Sequence, residues 1–477
     1  MKRTKKENAE KLPRFGGQIG FVLSSAGCAV GLGNLWRFPY LAARDGGGIF
    51  VLVYLLLAVT FGYTMLMTDI VIGRKTGRSA ICAYESIHRK WKFVGILVFI
   101  VPALVMSYYG VIGGWVTKYT VLFLTGHITE ATQEGYFTQF ITDPGAPVVY
   151  GIVFVFLTLL IVLGGVKDGI EKSARIIMPA LAVMMLVVSV FALTLYHTDE
   201  VTGEVRTALQ GLKVYLIPDF RNLTAERFCQ ILLDAMIQLF FSLGIAMGIM
   251  VTYGSYVEKK VDLNRSVNYI EIFDTGIALL AGMIVVPTTF VFYGIEGMTS
   301  GPGLLFISLT NVFHTMGDVG IVVGTAFFFT AFFAALTSSV SIYEAVVANC
   351  MEIFHVSRRK ASIVLFFIYS CTTGLISLGY SIFYFELPLP NGSQGQLLDI
   401  IDYFSNSFMM PLVSLLTCIL IGWVVGPSFV TEEIEVSGSP FQRKRLYIFM
   451  LRYIAPAMMA VLFLQSTGIL QMLIGQS

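Results

Sequence analysis

Residues 29–39 read AVGLGNLWRFP, inside the apolar run FVLSSAGCAVGLGNLWRFPYLAA at 21–43. A bilayer core takes about 20 apolar residues per helix, so the run is long enough to cross one. Its middle nevertheless carries Gly27, Gly31, Gly33, Asn34 and Arg37, which a span built for anchorage does not need. In hydrocarbon an unpaired backbone N–H or C=O is costly, so glycine-interrupted backbone at membrane depth is tolerated where it is packed in protein or lines a cavity. The stretch reads as a broken membrane helix and a candidate ligand site.

The composition agrees. The chain is 56% hydrophobic and 13% charged, with a mean hydropathy of +0.77, whereas soluble domains carry roughly 25% charged residues. Hydropathy places about eleven transmembrane helices, centred near residues 29, 60, 108, 157, 184, 244, 282, 336, 371, 411 and 460. Basic clusters at 2–14, 74–92, 167–175, 259–265, 358–360 and 443–445 hold 24 of the 32 Lys and Arg and follow every second span. By the positive-inside rule the N-terminus is cytoplasmic and the C-terminus outside, as expected for a multi-pass protein of the plasma (inner) membrane. Residues 1–14 form a basic cytoplasmic segment that stays attached, because the apolar run after it is too long for a signal peptide. The six cysteines form no CxxC pair and read as small buried hydrophobes.

A second interruption occurs in QLFFSLGIAMGIMVTYGSY (238–256), with Ser242, Gly244 and Gly248 at mid-depth. Spans 1 and 6 are five apart. Interrupted helices at matching places in two halves point to an inverted repeat with substrate and ions bound where they meet. The expected fold is thus an all-α polytopic membrane protein with a 5+5 inverted repeat and broken helices 1 and 6. A single transporter domain covers 15–475, with repeats at about 15–196 and 228–426 and a last helix at about 445–475. Unwound carbonyls suit a cation and half-helix N-termini suit an anion. A zwitterion with sodium uses both.

Other polar residues extend the set: Thr337 and Ser338 in AALTSSVSIYE (334–344), Asp274 in IEIFDTGIALLAG (270–282), and Tyr108 and Tyr109 in VMSYYGVIGGW (105–115). Small hydroxyl residues also glue helices together, and a tyrosine also fills a core. Asp274 is harder to explain by packing, because a buried carboxylate without a cation or proton is costly. Arg37 calls for a partner, and Asp402 in LLDIIDYF (397–404) is available.

With GCAVGLGNLWRFPYLAARDGGGIF (27–50), FFSLGIAMG (240–248), LTSS (336–339) and GSYV (254–257) in this order, the chain resembles the neurotransmitter:sodium symporter family over residues 14–475, particularly its bacterial amino-acid transporters. The resemblance implies two sodium sites. The first takes the Ala29 carbonyl, the side chains of Asn34, Ser242 and Asp274, and the substrate carboxylate. The second takes the carbonyls of Gly27, Val30 and Ala334 with the hydroxyls of Thr337 and Ser338. The substrate carboxylate meets Tyr109 and the N–H groups near Gly31, Leu32 and Gly33, and Val105, Phe241, Gly244, Met247, Ser338 and Ile342 surround the side chain. Gly31 stands where amine-transporting relatives have an aspartate, so the substrate brings its own carboxylate. Asp274 and Ala278 stand where chloride-dependent relatives have Asn and Ser, so chloride is not required, and a proton on Asp274 in the empty carrier is an accompanying expectation. Arg37 and Asp402, with Gln238 nearby, match an outer gate, and Phe241 and Tyr109 its lid. Tyr256 and Glu352 match an inner gate. There the family's Arg-x-x-Trp is replaced by KLPRF (11–15), which leaves Lys11 and Arg14 as alternative basic partners.

These features imply sodium-coupled uptake of an L-amino acid, hydrophobic or aromatic in view of Gly244 and Met247. The partners are the substrate and the lipid bilayer, with no nucleic acid and no obligate protein partner. A sodium-conducting channel or passive facilitator with the same polar pore is the alternative. An enzyme is not expected: there is no HExxH, the five histidines (88, 127, 197, 314 and 355) lie at span ends or in loops, and no strand precedes GLGNLW to make a dinucleotide site.

Overall fold

The computed structural model describes residues 13–198, 205–221, 223–294, 303–390 and 392–469. The chain runs through α1 (Gln18–Ala29), α2 (Gly33–Arg44), α3 (Gly48–Thr76), α4 (Ala80–Ile87), α5 (Arg89–Leu124), α6 (Ala146–Leu163), α7 (Val166–Ala192), α8 (Ala225–Leu243) and α9 (Ile249–Ser255). It continues through α10 (Leu263–Tyr293), α11 (Leu304–Thr315), α12 (Gly317–Phe354), α13 (Arg358–Leu378), α14 (Leu397–Val424), α15 (Ser428–Glu435) and α16 (Lys444–Ser466). Short helices and two small antiparallel hairpins, Tyr196–Thr198 with Val205–Thr207 and Leu387–Pro388 with Gln394–Gly395, fill connections.

Among the described residues nine helices are long and apolar enough to span a bilayer, or ten spans when the bent pair α1 and α2 counts as one. The eleventh expected span, near residue 244, is no continuous helix. It is divided at residues 244–248 into α8 and α9. The first break is also as expected: α1 stops at Ala29, Val30 is extended (φ −76°, ψ 93°), and α2 leaves at 56° to α1.

The breaks lie at the centre of the bundle. α1 and α9 are buried along most of their length, α1 packs on α10 and α12, and α9 on α3. The outer helices instead expose aliphatic and aromatic side chains, among them Ile176, Val187 and Phe367, as a lipid-facing surface does. Glycines allow the inner helices to touch by backbone. A Cβ on Gly73 of α3 would lie 1.8 Å from the Val251 carbonyl oxygen, and one on Gly254 of α9 2.2 Å from that of Ile70. Just beyond, the buried Arg74 donates from Nε to Glu433 Oε1 (3.0 Å), from Nη1 to the Val261 carbonyl (2.8 Å) and from Nη2 to the Glu433 carbonyl. This bolts α3 to α15 and to the turn after α9. The basic clusters of the described residues converge here, and this end of the bundle is termed the basic face.

Gly73→Ala is expected to lower stability by about 1–3 kcal/mol through overpacking. Gly374→Ala, whose Cβ would meet only Val148 Cγ1 at 3.6 Å, is expected to have no such cost. Thermal unfolding in detergent compares the two, and equal midpoints would show that α3 and α9 are not in backbone contact.

Candidate functional site

The interrupted helices meet around Asp274, which is fully buried on α10. Asn34 Nδ2 donates to Asp274 Oδ1 at 2.8 Å, Ser242 Oγ donates to the same oxygen at 2.6 Å, and the Tyr54 hydroxyl donates to Oδ2 at 3.3 Å. Asn34 Oδ1 in turn lies 3.1 Å from Ser242 Oγ and accepts from the Gly31 N–H at 3.3 Å. One carboxylate thus joins the start of α2, the end of α8 and α10. Tyr54 was not anticipated from the sequence.

A second oxygen cluster lies where α12 crosses the end of α1. Ser338 Oγ lies 3.3 Å from the Gly27 carbonyl, 3.1 Å from that of Cys28 and 3.3 Å from that of Val30, and Thr337 Oγ1 lies 3.2 Å from the Ala334 carbonyl. Ser338 thus meets the carbonyls of Gly27 and Val30 across the helix contact, whereas Thr337 bonds within α12, to the Ala334 carbonyl and to that of Phe333 at 2.9 Å.

Between the clusters is a cavity of ≈30 Å³, room for roughly two waters. Ala29, Gly31, Gly33, Asn34, Val105, Tyr109, Phe241, Ser242, Gly244, Met247, Ser338 and Ile342 line it. The Leu32 side chain is buried in the core instead, while its N–H faces the Tyr109 hydroxyl. Cys28 and Ile249 also line it, so Cys28 is not packing alone. A Cβ on Gly31 would lie 2.9 Å from Ser338 Oγ and 3.5 Å from the Tyr109 hydroxyl, so a side chain there requires Ser338 to turn away.

Phe241 is shared with a second, ≈20 Å³ cavity, lined also by Arg37, Asn406 and Ser407. A single ring separates the two. The expected outer pair is not closed: among the described residues Arg37 has no carboxylate within 4 Å, and Asp402 is satisfied one turn on by Asn406 Nδ2 at 2.6 Å. Gln238 donates to the Gly33 carbonyl at 3.2 Å and so braces α8 on α2.

Toward the basic face the barrier is thicker. The Phe15 ring lies 5.4 Å from that of Tyr253 and 6.1 Å from that of Tyr256, and its N–H donates to the Tyr256 carbonyl at 3.2 Å. Tyr253 donates to Ser341 Oγ at 2.8 Å. The Tyr256 hydroxyl donates to Glu344 Oε1 at 2.8 Å, where Arg358 binds both oxygens, at 2.5 and 2.8 Å. The Gly16 N–H donates to the buried Glu171 at 2.6 Å.

The expected inner-gate contacts differ from this. Glu352 accepts from the Ser79 N–H (2.8 Å) and hydroxyl (2.5 Å) because the exposed N–H groups at the start of α4 attract a carboxylate. Arg14 reaches only Glu258, at 3.9 Å and largely exposed, and Lys11 lies outside the described residues. Glu344 was missed although an ionisable residue within the apolar run SSVSIYEAVV is itself a signal. Asp69 was missed likewise. It accepts from the Ala246 N–H at 3.2 Å and holds the break between α8 and α9.

A profile described as the Sodium:neurotransmitter symporter family matches residues 13–139 and 134–474. The uncharacterized sodium-dependent transporter YhdH of Bacillus subtilis is 32% identical over 97% of this chain and 99% of its own. The sodium- and chloride-dependent taurine transporter of Homo sapiens is 26% identical over 88% of this chain and 73% of its own. Among solved structures, that of MhsT in complex with L-phenylalanine superposes with a TM-score of 0.83 at 32% identity, covering 95% of this chain and 99% of MhsT. The chain belongs to the Sodium:neurotransmitter symporter family, a family of sodium-dependent membrane transporters rather than enzymes.

The thickness of the barrier can be measured from Cys28. In a protein whose other five cysteines are alanine, Phe15→Ala is expected to speed labelling of Cys28 by a membrane-impermeant thiosulfonate applied only at the basic face by roughly tenfold, the equivalent of about 1.4 kcal/mol. Unchanged labelling would show that the Phe15 ring is not the barrier.

Proposed function

We propose that the chain is a symporter that uses the sodium gradient to take up an L-amino acid with a large aliphatic or aromatic side chain, by alternating access and without chloride. The observation that carries this reading is the junction of Asn34, Ser242 and Asp274 at two helix breaks, beside a cavity whose other wall is apolar. The first sodium takes the Ala29 carbonyl, Asn34, Ser242, Asp274 and the substrate carboxylate. The second takes the carbonyls of Gly27, Val30 and Ala334 with Thr337 and Ser338. These ligands are all oxygen, as a hard cation requires.

The substrate carboxylate fits the polar end beside Tyr109 and the N–H groups around Gly31 and Gly33. Gly31 brings no carboxylate to this end of the cavity, which supports a ligand that supplies its own. Val105, Met247 and Ile342 suit an apolar side chain, and L-phenylalanine in the related MhsT supports that class. The ≈30 Å³ cavity must widen for such a ligand, so the conformation described here is contracted.

By the positive-inside rule the basic face is cytoplasmic and the C-terminus outside, in the inner membrane. Residues 15–475 act as one unit of two inverted repeats, about 15–196 and 228–426, with a further helix after them. Phe241 and Tyr109 form the outer lid, Arg37 and Asp402 approach when the outer route seals, and Tyr256 seals the inner route with Glu344 and Arg358 while Glu352 and Arg14 stand at its margin. Asp274 supplies the fixed negative charge that a chloride ion provides elsewhere. Without sodium it carries a proton, because an uncompensated buried carboxylate is costly, and the empty carrier exports that proton.

In proteoliposomes an inward sodium gradient is expected to accumulate L-phenylalanine or L-leucine above its outside concentration. Equilibration without accumulation would mean a facilitator. Thr337→Val with Ser338→Ala removes two hydroxyl ligands at nearly constant size and is expected to raise the sodium concentration for half-maximal uptake by roughly tenfold, about 1.4 kcal/mol. Wild-type sodium dependence in that double variant would remove the second site.

Replacing chloride with gluconate is expected to leave wild-type uptake unchanged, while Asp274→Asn with Ala278→Ser becomes chloride-stimulated. A strong chloride requirement of the wild type refutes the role given to Asp274, and turnover indifferent to interior pH at fixed sodium refutes the proton.

A further inference from the structure

Gly244 ends α8 at φ +62° and presents no side chain to the cavity. A Cβ built there would meet Cys28 Sγ at 3.4 Å and Ile249 Cδ1 at 3.7 Å, with no other neighbouring group within 4 Å. The cavity therefore has a notch one methyl deep beside Gly244, bounded by only two side chains. Both already line the cavity. Phe241 closes the opposite, outer wall, so the notch is the inner end.

Its backing is rigid on one side. The Cys28 thiol faces Ser341, whose Oγ holds the Tyr253 hydroxyl at 2.8 Å, and Tyr253 carries the Phe15 ring at 5.4 Å. Cys28 thus cannot retreat without disturbing the basic-face barrier. Ile249 is the first residue of α9, and its Cδ1 forms the other bound of the notch.

We infer that Cys28 and Ile249 determine which substrates this carrier accepts, by setting the depth available to the end of the substrate side chain. This rests on the reading of the substrate as an amino acid bound with its carboxylate at the Asn34 end. Neither residue contacts the carboxylate or the proposed cations through its side chain. They discriminate between side-chain sizes and leave the shared part of the ligand alone. Removing methylenes from such a wall changes discrimination by roughly 10- to 200-fold, so the effect is measurable as a ratio.

The test is sodium-dependent binding of L-alanine, L-leucine, L-phenylalanine and L-tryptophan to the purified full-length protein in lipid nanodiscs. Ile249→Ala and Cys28→Ala are each expected to raise the affinity for L-tryptophan relative to L-leucine by roughly tenfold, and Cys28→Leu to lower it by a similar factor while sparing L-alanine. If all four affinities shift together in the two alanine variants, so that the ratio stays within about twofold of wild type, the residues are structural and the inference is overturned. Those two variants decide the matter if Cys28→Leu does not fold. If the wild type binds no amino acid, the reading of function fails first, and that result is distinct from an unchanged ratio.

Discussion

The centre of this structure is set by the cost of a carboxylate out of water. Asp274 is fully buried, and an ionised carboxylate there must be hydrogen-bonded and charge-compensated. Asn34, Ser242 and Tyr54 provide the hydrogen bonds from three separate helices. Two of these donors stand at helix breaks, so the same bonds that satisfy Asp274 fix where the broken halves meet. Charge compensation is a different matter. No cationic side chain bonds to this carboxylate among the described residues, so the side chains around it satisfy its hydrogen bonding without balancing its charge.

The breaks themselves depend on backbone that can leave the helical form at low cost. Gly244 and Gly248 take positive φ freely, whereas Ala246 at φ 64° does so against its Cβ. The Asp69 carboxylate on the Ala246 N–H offsets that strain and replaces a hydrogen bond lost from the helix. Close approach works alongside. α9 is only seven residues long, too short to be stable alone, and is held because Gly73 and Gly254 let it lie directly on α3.

The sequence makes the breaks and most of the site legible because membrane depth turns each polar residue into a question. Asn34, Ser242, Asp274, Thr337 and Ser338 stand out in apolar runs, and hydropathy with charge places their helices. Cys28 does not stand out, since a thiol in an apolar run reads as packing until its neighbour across the cavity proves to be Gly244. The barrier partners were less accessible still. Glu352 is matched to a gate by resemblance, yet its partner is set by where the start of α4 falls in space. Glu344 was visible as an intramembrane acid, but only tertiary packing brings Arg358 and Tyr256 to it.

The two barriers around the cavity differ in what opening them demands. On the Arg37 side Phe241 lines both small cavities, and among the described residues no charge pair holds it in place. On the basic face the aromatic layer of Phe15, Tyr253 and Tyr256 is anchored to Glu344 and Arg358, whose side chains are 0% and 16% exposed. Separating that pair would leave buried charge alone at a cost of about 3–5 kcal/mol. The pair joins α12 to the start of α13, whereas Phe15 and Tyr256 belong to the segments flanking α1 and α9. Moving the α1 and α9 side away from α12 and α13 would break the hydrogen bonds of Tyr253 to Ser341 and of Tyr256 to Glu344 and leave the ion pair intact. The boundary between the two sides of this barrier thus follows the same line as the helix breaks, with Asp274 and Ser338 directly beside it.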